Sequence, residues 1–347
     1  MKKRLTSLVL ALVLALSLTV PAAAGYKDVP TGHWSHSAVT RATELGIFNG
    51  IGDDRFGLGQ SISKAAFATA LVRLFGWEEV TPDKASFSDV KPGSWYYTAV
   101  ETARANGAIP STGSTFQPNR SITRQEMAAM IVRGLGYTSL AGTLSTYGSP
   151  FTDVKANKGF ITIAYDLGIV NGVGNGKFAP NSSATREQAA AMLVRLYDKL
   201  HGSSTQVRKT DGFTPVRIAT PEATENTGIP TTPLEPMVDL YLALQKQKNS
   251  GADLSQVVLC LTAGGVRTLT DKEGKIIDSD TLNASQVKSA LRSYNSRLYY
   301  SDRYDSAYCI YSPNSYQTAT IWYQSGRSQE AKLCLARLFG VTNYILE

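Results

Sequence analysis

Between residues 26 and 200 one local pattern is written three times, in copies covering 26–78, 87–137 and 151–200. Copies this short do not bury a core alone. They must pack against one another, and a site built into one recurs in the others. The copies open on Tyr26-Lys27-Asp28-Val29, Phe87-Ser88-Asp89-Val90 and Phe151-Thr152-Asp153-Val154. They close on Ser63-Lys64-Ala65-Ala66, Thr123-Arg124-Gln125-Glu126 and Thr185-Arg186-Glu187-Gln188.

Within each copy, apolar residues at helical spacing predict a first helix. These are Trp34, Ala38, Val39, Ala42 and Leu45, then Trp95, Ala99, Val100 and Ala103, then Phe160, Ile163, Ala164 and Leu167. Glycine-bearing stops follow at Gly46, Gly107 and Gly168, and then a turn carrying Phe56, Phe116 or Phe178. The second helix starts at the closing motif. Thr123 with Glu126, and Thr185 with Gln188, have the spacing of a capping box, while Ser63 is an N-cap with no partner at Ala66. Phe67, Leu71 and Leu74, then Met127, Met130 and Ile131, then Ala191, Leu193 and Leu196 form the inner faces of these second helices. Arg124 and Arg186 sit in a first helical turn, where a cation opposes the helix dipole. Free N–H groups beside an arginine fork suit a carboxylate or phosphate, and the recurrence of the arrangement strengthens that expectation.

These motifs resemble S-layer homology repeats, whose signature is an opening Phe-x-Asp-Val and a closing Ile-Thr-Arg-Ala-Glu. The resemblance covers about half the chain. It implies a mainly α, pseudo-threefold helical bundle that binds secondary cell-wall polysaccharide, a peptidoglycan-linked polymer often carrying pyruvylated sugars. The closing-motif cations Arg124, Arg186 and Lys64 would then meet the ketal carboxylate. Thr123, Thr185, Ser63, Glu126, Gln188, Asp28, Asp89 and Asp153 would line the grooves, and Trp34 and Trp95 could stack on sugars as well as pack in the core. Two departures stand in the first copy. Lys64 is a point charge rather than a fork, and Ala66 removes the motif carboxylate.

Lys2-Lys3-Arg4, the apolar run Leu8 to Leu18 and Ala22-Ala23-Ala24 predict a secretory signal over residues 1–24. Discounting Lys2, Lys3 and Arg4 from the formal +7 leaves +4. With no dense basic run, nucleic acid is not an expected partner. The expectation is an exported protein on the cell wall or S-layer, with no membrane span after cleavage.

Residues 201–236 are rich in Ser, Thr and Pro and predict an extended spacer that holds the last module away from the wall. Residues 237–347 predict a small α/β module. A helix covers Val238 to Leu244, a buried strand Val257 to Leu261, a helix capped by Asn283 runs over Ala284 to Leu291, and a final helix spans Ser328 to Phe339. The phrases Thr320-Ile321-Trp322-Tyr323-Gln324 and Arg327-Ser328-Gln329-Glu330-Ala331-Lys332-Leu333 resemble the closing part of family-18 glycoside hydrolases. That resemblance implies a partial barrel-like module with Trp322, Tyr323 and Gln324 facing a glycan, Gln324 standing where the family has an acid. The family's catalytic run Asp-x-x-Asp-x-Asp-x-Glu is not in this sequence. The module can then be a decayed glycosidase, a glycan-binding remnant or a piece completed by a partner chain; a wall-active hydrolase on the same anchor is the competing class.

No cofactor or metal is expected. His33, His36 and His201 lack zinc spacing, and Gly172-Val173-Gly174-Asn175-Gly176 lacks the strand-to-helix context of a dinucleotide loop. Cys260, Cys309 and Cys334 predict buried apolar thiols, although an exported chain could oxidise two of them.

Overall fold

The computed structural model describes residues 25–220, 233–293, 296–302 and 304–347. The predicted signal segment and Pro221 and Pro230 of the expected spacer lie outside the described residues. Repeat one forms α1 (His36–Glu44) and α2 (Lys64–Phe75). Repeat two forms α3 (Tyr97–Ala105) and α4 (Arg124–Gly134), followed by the short α5 (Thr138–Leu144). Repeat three forms α6 (Lys158–Asp166) and α7 (Arg186–Leu200).

The repeats interlock. Each first helix packs on the second helix of the preceding repeat: α3 on α2, α6 on α4, and α1 back on α7. The segments before the second helices trade main-chain bonds in a closed cycle. Ile122 N–H donates to Ile62 O at 2.9 Å, Ile62 N–H to Ala184 O at 3.1 Å, and Ala184 N–H to Ile122 O at 3.1 Å. Phe56, Phe116 and Phe178 are buried in the common core, and each contributes about 2–3 kcal/mol by leaving water. The inner faces expected for the second helices are buried throughout.

Trp34 and Trp95 differ from the core positions expected for them. They are 59% and 67% exposed. Both lie ahead of the N-caps, Ser35 and Tyr96, so helical spacing does not govern where they point. Val39 and Ala42, and Val100 and Ala103, carry the buried faces instead.

The stretch expected as a spacer is partly built into the last module. It supplies β1 (Thr205–Gln206) and β2 (Thr214–Arg217). After α8 (Met237–Asn249) come β3 (Val257–Leu261), β4 (Gly265–Thr270), β5 (Ile276–Leu282), α9 (Ala284–Ser293), β6 (Arg297–Ser301), β7 (Ser306–Asn314), β8 (Gln317–Tyr323), α10 (Gly326–Phe339) and β9 (Asn343–Leu346). A parallel sheet runs in the order β1-β9-β3-β2, and an antiparallel sheet in the order β5-β4-β8-β7-β6. β3 is buried at every position, as its uninterrupted apolar run requires for a central parallel strand. The parallel strands do not close into a barrel among the described residues. At the crossing between the sheets a Cβ on Gly264 would lie 1.9 Å from Leu282 O, so only glycine fits there.

The module is not held away from the repeats. One hydrophobic core runs from the repeat helices into α8, α10 and β3. Asp166 of α6, itself buried, accepts bonds from the Tyr241 hydroxyl and from Gln245 Nε2 on α8, the latter at 2.6 Å. Lys199 Nζ of α7 donates to Leu338 O of α10 at 2.8 Å. A smaller second core joins α9 to one face of the antiparallel sheet through Val287, Ala290, Cys309 and Ile321. Cys260, Cys309 and Cys334 are free thiols, the first two buried.

Candidate functional site

The opening aspartates organise the aromatic turns. Asp28 accepts N–H bonds from Phe56 and Gly57 at 2.7 Å and from Leu58 at 3.0 Å. Asp89 accepts from Phe116 at 2.8 Å and Gln117 at 2.7 Å, and Asp153 from Phe178 at 2.9 Å and Ala179 at 2.8 Å. Desolvation pushes the Asp28 carboxyl up, but the N–H bonds from Phe56, Leu58 and Gly57 outweigh it and hold the group below its usual range. The Phe178 N–H, joined by that of Ala179, does the same for Asp153. These carboxylates accept from their own main chain and so hold the turns in shape.

On each turn lies the closing-motif cation of the preceding repeat. Lys64 Nζ is 4.7 Å from the Phe116 ring centroid, Arg124 Cζ 4.6 Å from that of Phe178, and Arg186 Cζ 5.0 Å from that of Phe56. Arg124 donates through Nε to Phe178 O at 2.9 Å and through Nη2 to Asn171 O at 2.6 Å. Arg186 repeats this with Phe56 O at 2.8 Å and Asn49 O at 2.9 Å. Each fork holds five donors, and those beyond the two described have no partner among the described residues. Partial burial lowers the pKa of both guanidiniums, which remain charged. Neither is in any ion pair formed among the described residues.

The junction of Lys64 is different. Its ammonium lies 3.7 Å from Glu126 Oε1, an oxygen that Arg120 also engages. Glu126 Oε2 accepts from Thr123 N–H at 2.9 Å, which with the Thr123 side chain completes the expected capping box. Ser63 caps α2 by accepting from Ala66 N–H at 3.2 Å. Repeat three forms the expected box more loosely: Gln188 Oε1 accepts from Thr185 N–H at 3.2 Å, and Thr185 Oγ1 faces the Gln188 N–H beyond good hydrogen-bond geometry.

The structure does not bring Trp322, Tyr323 and Gln324 together on one surface. Strand alternation sends Trp322 to the face opposite α9, where it is buried and stacked on Tyr308 at 4.6 Å, while Tyr323 packs toward α9. Gln324 Oε1 accepts from Lys332 Nζ at 2.9 Å, and its Nε2 donates to Glu235 Oε2 at 3.2 Å. Lys332 and Glu235 form a buried pair at 3.1 Å. Burial pushes the Lys332 pKa down against the pull of Glu235. Sequence reasoning missed this pair. Lys332 lies on the buried face of α10 with Ser328, Leu335 and Phe339, and a cation in such a stripe signals a buried partner. No cluster of His, Cys, Asp and Glu among the described residues is arranged to hold a metal.

Residues 25–68, 86–128 and 150–190 match the family model of the S-layer homology domain. The chain carries three S-layer homology domains. Over 171 residues it is 32% identical to an amylopullulanase of Thermoanaerobacterium thermosulfurigenes, covering 48% of this chain and 9% of that protein. Over 205 residues it is 28% identical to the S-layer protein sap of Bacillus anthracis, covering 58% of this chain and 25% of that protein. The chain thus spans a quarter or less of the length of these curated relatives. Among solved structures, the spore cortex-lytic enzyme SleL of Bacillus megaterium covers 39% of this chain and 30% of its own at 14% identity and a TM-score of 0.31. The S-layer homology domains and the surface-protein relatives indicate an extracellular, cell-wall-anchored location. No helix among the described residues is long and apolar enough to cross a membrane.

Proposed function

We propose that residues 25–200 are a pseudo-threefold anchor that binds an acidic secondary cell-wall polysaccharide through the repeat junctions of Arg124 and Arg186. The observation that carries this reading is the pair of matched guanidiniums. Each lies over an aromatic ring, held by two main-chain carbonyls, with remaining donors and no carboxylate at ion-pair distance among the described residues. Asp153 acts on Arg124, and Asp28 and Glu187 on Arg186, only from farther away. A carboxylate such as the ketal acid of a pyruvylated sugar completes such a fork. Lys64 is a secondary contact. Trp34 and Trp95, both exposed, offer faces for sugar stacking. Thr123, Thr185, Ser63, Gln188 and the opening aspartates support the junctions from behind.

The last module is proposed to be non-catalytic cargo. The run Asp-x-x-Asp-x-Asp-x-Glu that would supply the general acid is not in this sequence, and Gln324, proposed as a glycan-facing residue, is tied into the buried Lys332–Glu235 network. Incubating the full chain with chitin oligomers and peptidoglycan tests this, and turnover above a blank overturns it.

The anchor is tested by sedimentation with purified wall sacculi, with and without their secondary polymer. Binding is expected only when the polymer is present, and Arg124→Ala with Arg186→Ala should weaken it at least about tenfold. Unchanged binding by the double variant would overturn the site.

A further inference from the structure

Aligning the closing motifs puts Arg73, Arg133 and Arg195 at one position of the second helices. Arg73 and Arg195 are exposed, but Arg133 is half-buried. Its Cζ lies 4.3 Å from the Phe160 ring centroid on α6, and its side chain makes no hydrogen bond or ion pair among the described residues. Burial lowers its pKa with no neighbouring carboxylate to offset the effect, and the group stays charged. A half-buried guanidinium with open N–H donors is costly until an acceptor completes it. Arg133 lines the cleft of the Lys64 junction, about 180 Å³ in volume, where Ile109, Pro110, Ala129 and Met130 supply an apolar floor. The other cations there are already engaged. Lys64 lies 3.7 Å from Glu126 Oε1, Arg120 meets the same oxygen, and Asp89 acts on Lys64 from farther away. Three cations thus stand against two carboxylates, and the unmatched charge is that of Arg133.

We propose that Arg133 is the principal acid contact of the Lys64 junction, and that its cleft takes a carboxylate borne on a methyl-bearing carbon. A planar fork meets a carboxylate with two parallel bonds, which the Lys64 point charge does not offer. The methyl group then lies on the apolar floor and leaves water. Lys64 keeps its secondary part. Glu126, engaged by Lys64 and Arg120, stays in place beside such a ligand and continues to cap α4. The inference rests on the proposed reading of the junctions as acid-binding sites, and gives this one its own residue and ligand shape.

Methyl NMR of the full chain tests this without the wall polymer, with Ile109 and Met130 as reporters lining the cleft. Sodium lactate is the probe, set against sodium chloride at matched ionic strength. The parent is expected to respond saturably. Glycolate, which lacks the methyl group, should need a concentration about threefold higher for half-saturation. Arg133→Lys keeps the charge and most of the stem, and should raise the lactate requirement at least about tenfold. Lys64→Ala should raise it by a smaller factor, and Arg124→Ala with Arg186→Ala should leave it unchanged, with the circular dichroism of every variant matching the parent. An unresponsive parent, or equal half-saturation for lactate and glycolate, would overturn the proposal. So would a loss in Lys64→Ala as large as that in Arg133→Lys, or a response that disappears with Arg124 and Arg186. Lost sacculus binding beside an intact lactate response would instead count against the anchor reading.

Discussion

Arg186 of the third repeat lies over Phe56 of the first, 130 positions earlier in the chain, and donates to its carbonyl at 2.8 Å. This one contact joins the end of the repeat array to its beginning. It also holds, by way of a core residue, the guanidinium proposed to meet the polymer, so the proposed binding and stability would be coupled there.

Phe56→Ala should therefore act twice. The ring is fully buried against Tyr26 and Phe48, and its loss is expected to cost about 3–5 kcal/mol in urea unfolding. Sacculus binding should fall even at temperatures where the variant stays folded, because Arg186 loses its platform.

Gly57 adopts φ +89°, and a Cβ there would lie 3.1 Å from Arg186 Cδ. Gly57→Ala is expected to cost about 1 kcal/mol or more in backbone strain. The Arg186 side chain must also shift, so weaker wall binding is expected together with a lower melting temperature. If the melting temperature falls while binding holds, the arginine does not contact the polymer.

Acid should loosen the repeats. The Asp28, Asp153 and Glu126 carboxyls are held below their usual values in the folded state. Their stabilisation is therefore complete above the unfolded carboxylate range and is lost as pH falls through the folded values, below about pH 4. Thermal melts between pH 2 and 6 should show this decline. Asp153→Asn should make the decline shallower, since one of the titrating groups is gone.

Asp166→Ala removes the acceptor of the Tyr241 hydroxyl between α6 and α8 and leaves that hydroxyl buried. A loss of about 1–3 kcal/mol is expected. Residues 25–200 alone should bind a hydrophobic dye and melt below the full chain, because α8 and α10 no longer cover α5 and α7.

Much of the repeat region was legible because its signals are local. The second-helix faces, the aromatic turns and the Thr123 cap follow from spacing alone. Trp34 and Trp95 misled because the helical period was extended one turn too early, across N-caps at Ser35 and Tyr96 that carry no side-chain capping bond. The roles of the opening aspartates needed the fold, since Asp28 meets N–H groups 28 to 30 positions away. Composition hid β1 and β2, because polar edge strands of two and four residues look like spacer until β9 and β3 pair with them. The carboxylate at the Lys64 junction was visible as a capping residue. Its contact with Lys64 arises only when repeat two is laid against repeat one.

The cycle through Ile62, Ala184 and Ile122 returns to its starting residue. A linear stack of repeats needs polar end units and can gain or lose members one at a time. A stack that bites its own tail has no ends to blunt and no vacancy for a fourth member. Copy number is thereby fixed by geometry, and adhesion to a surface can be tuned only by editing single junctions.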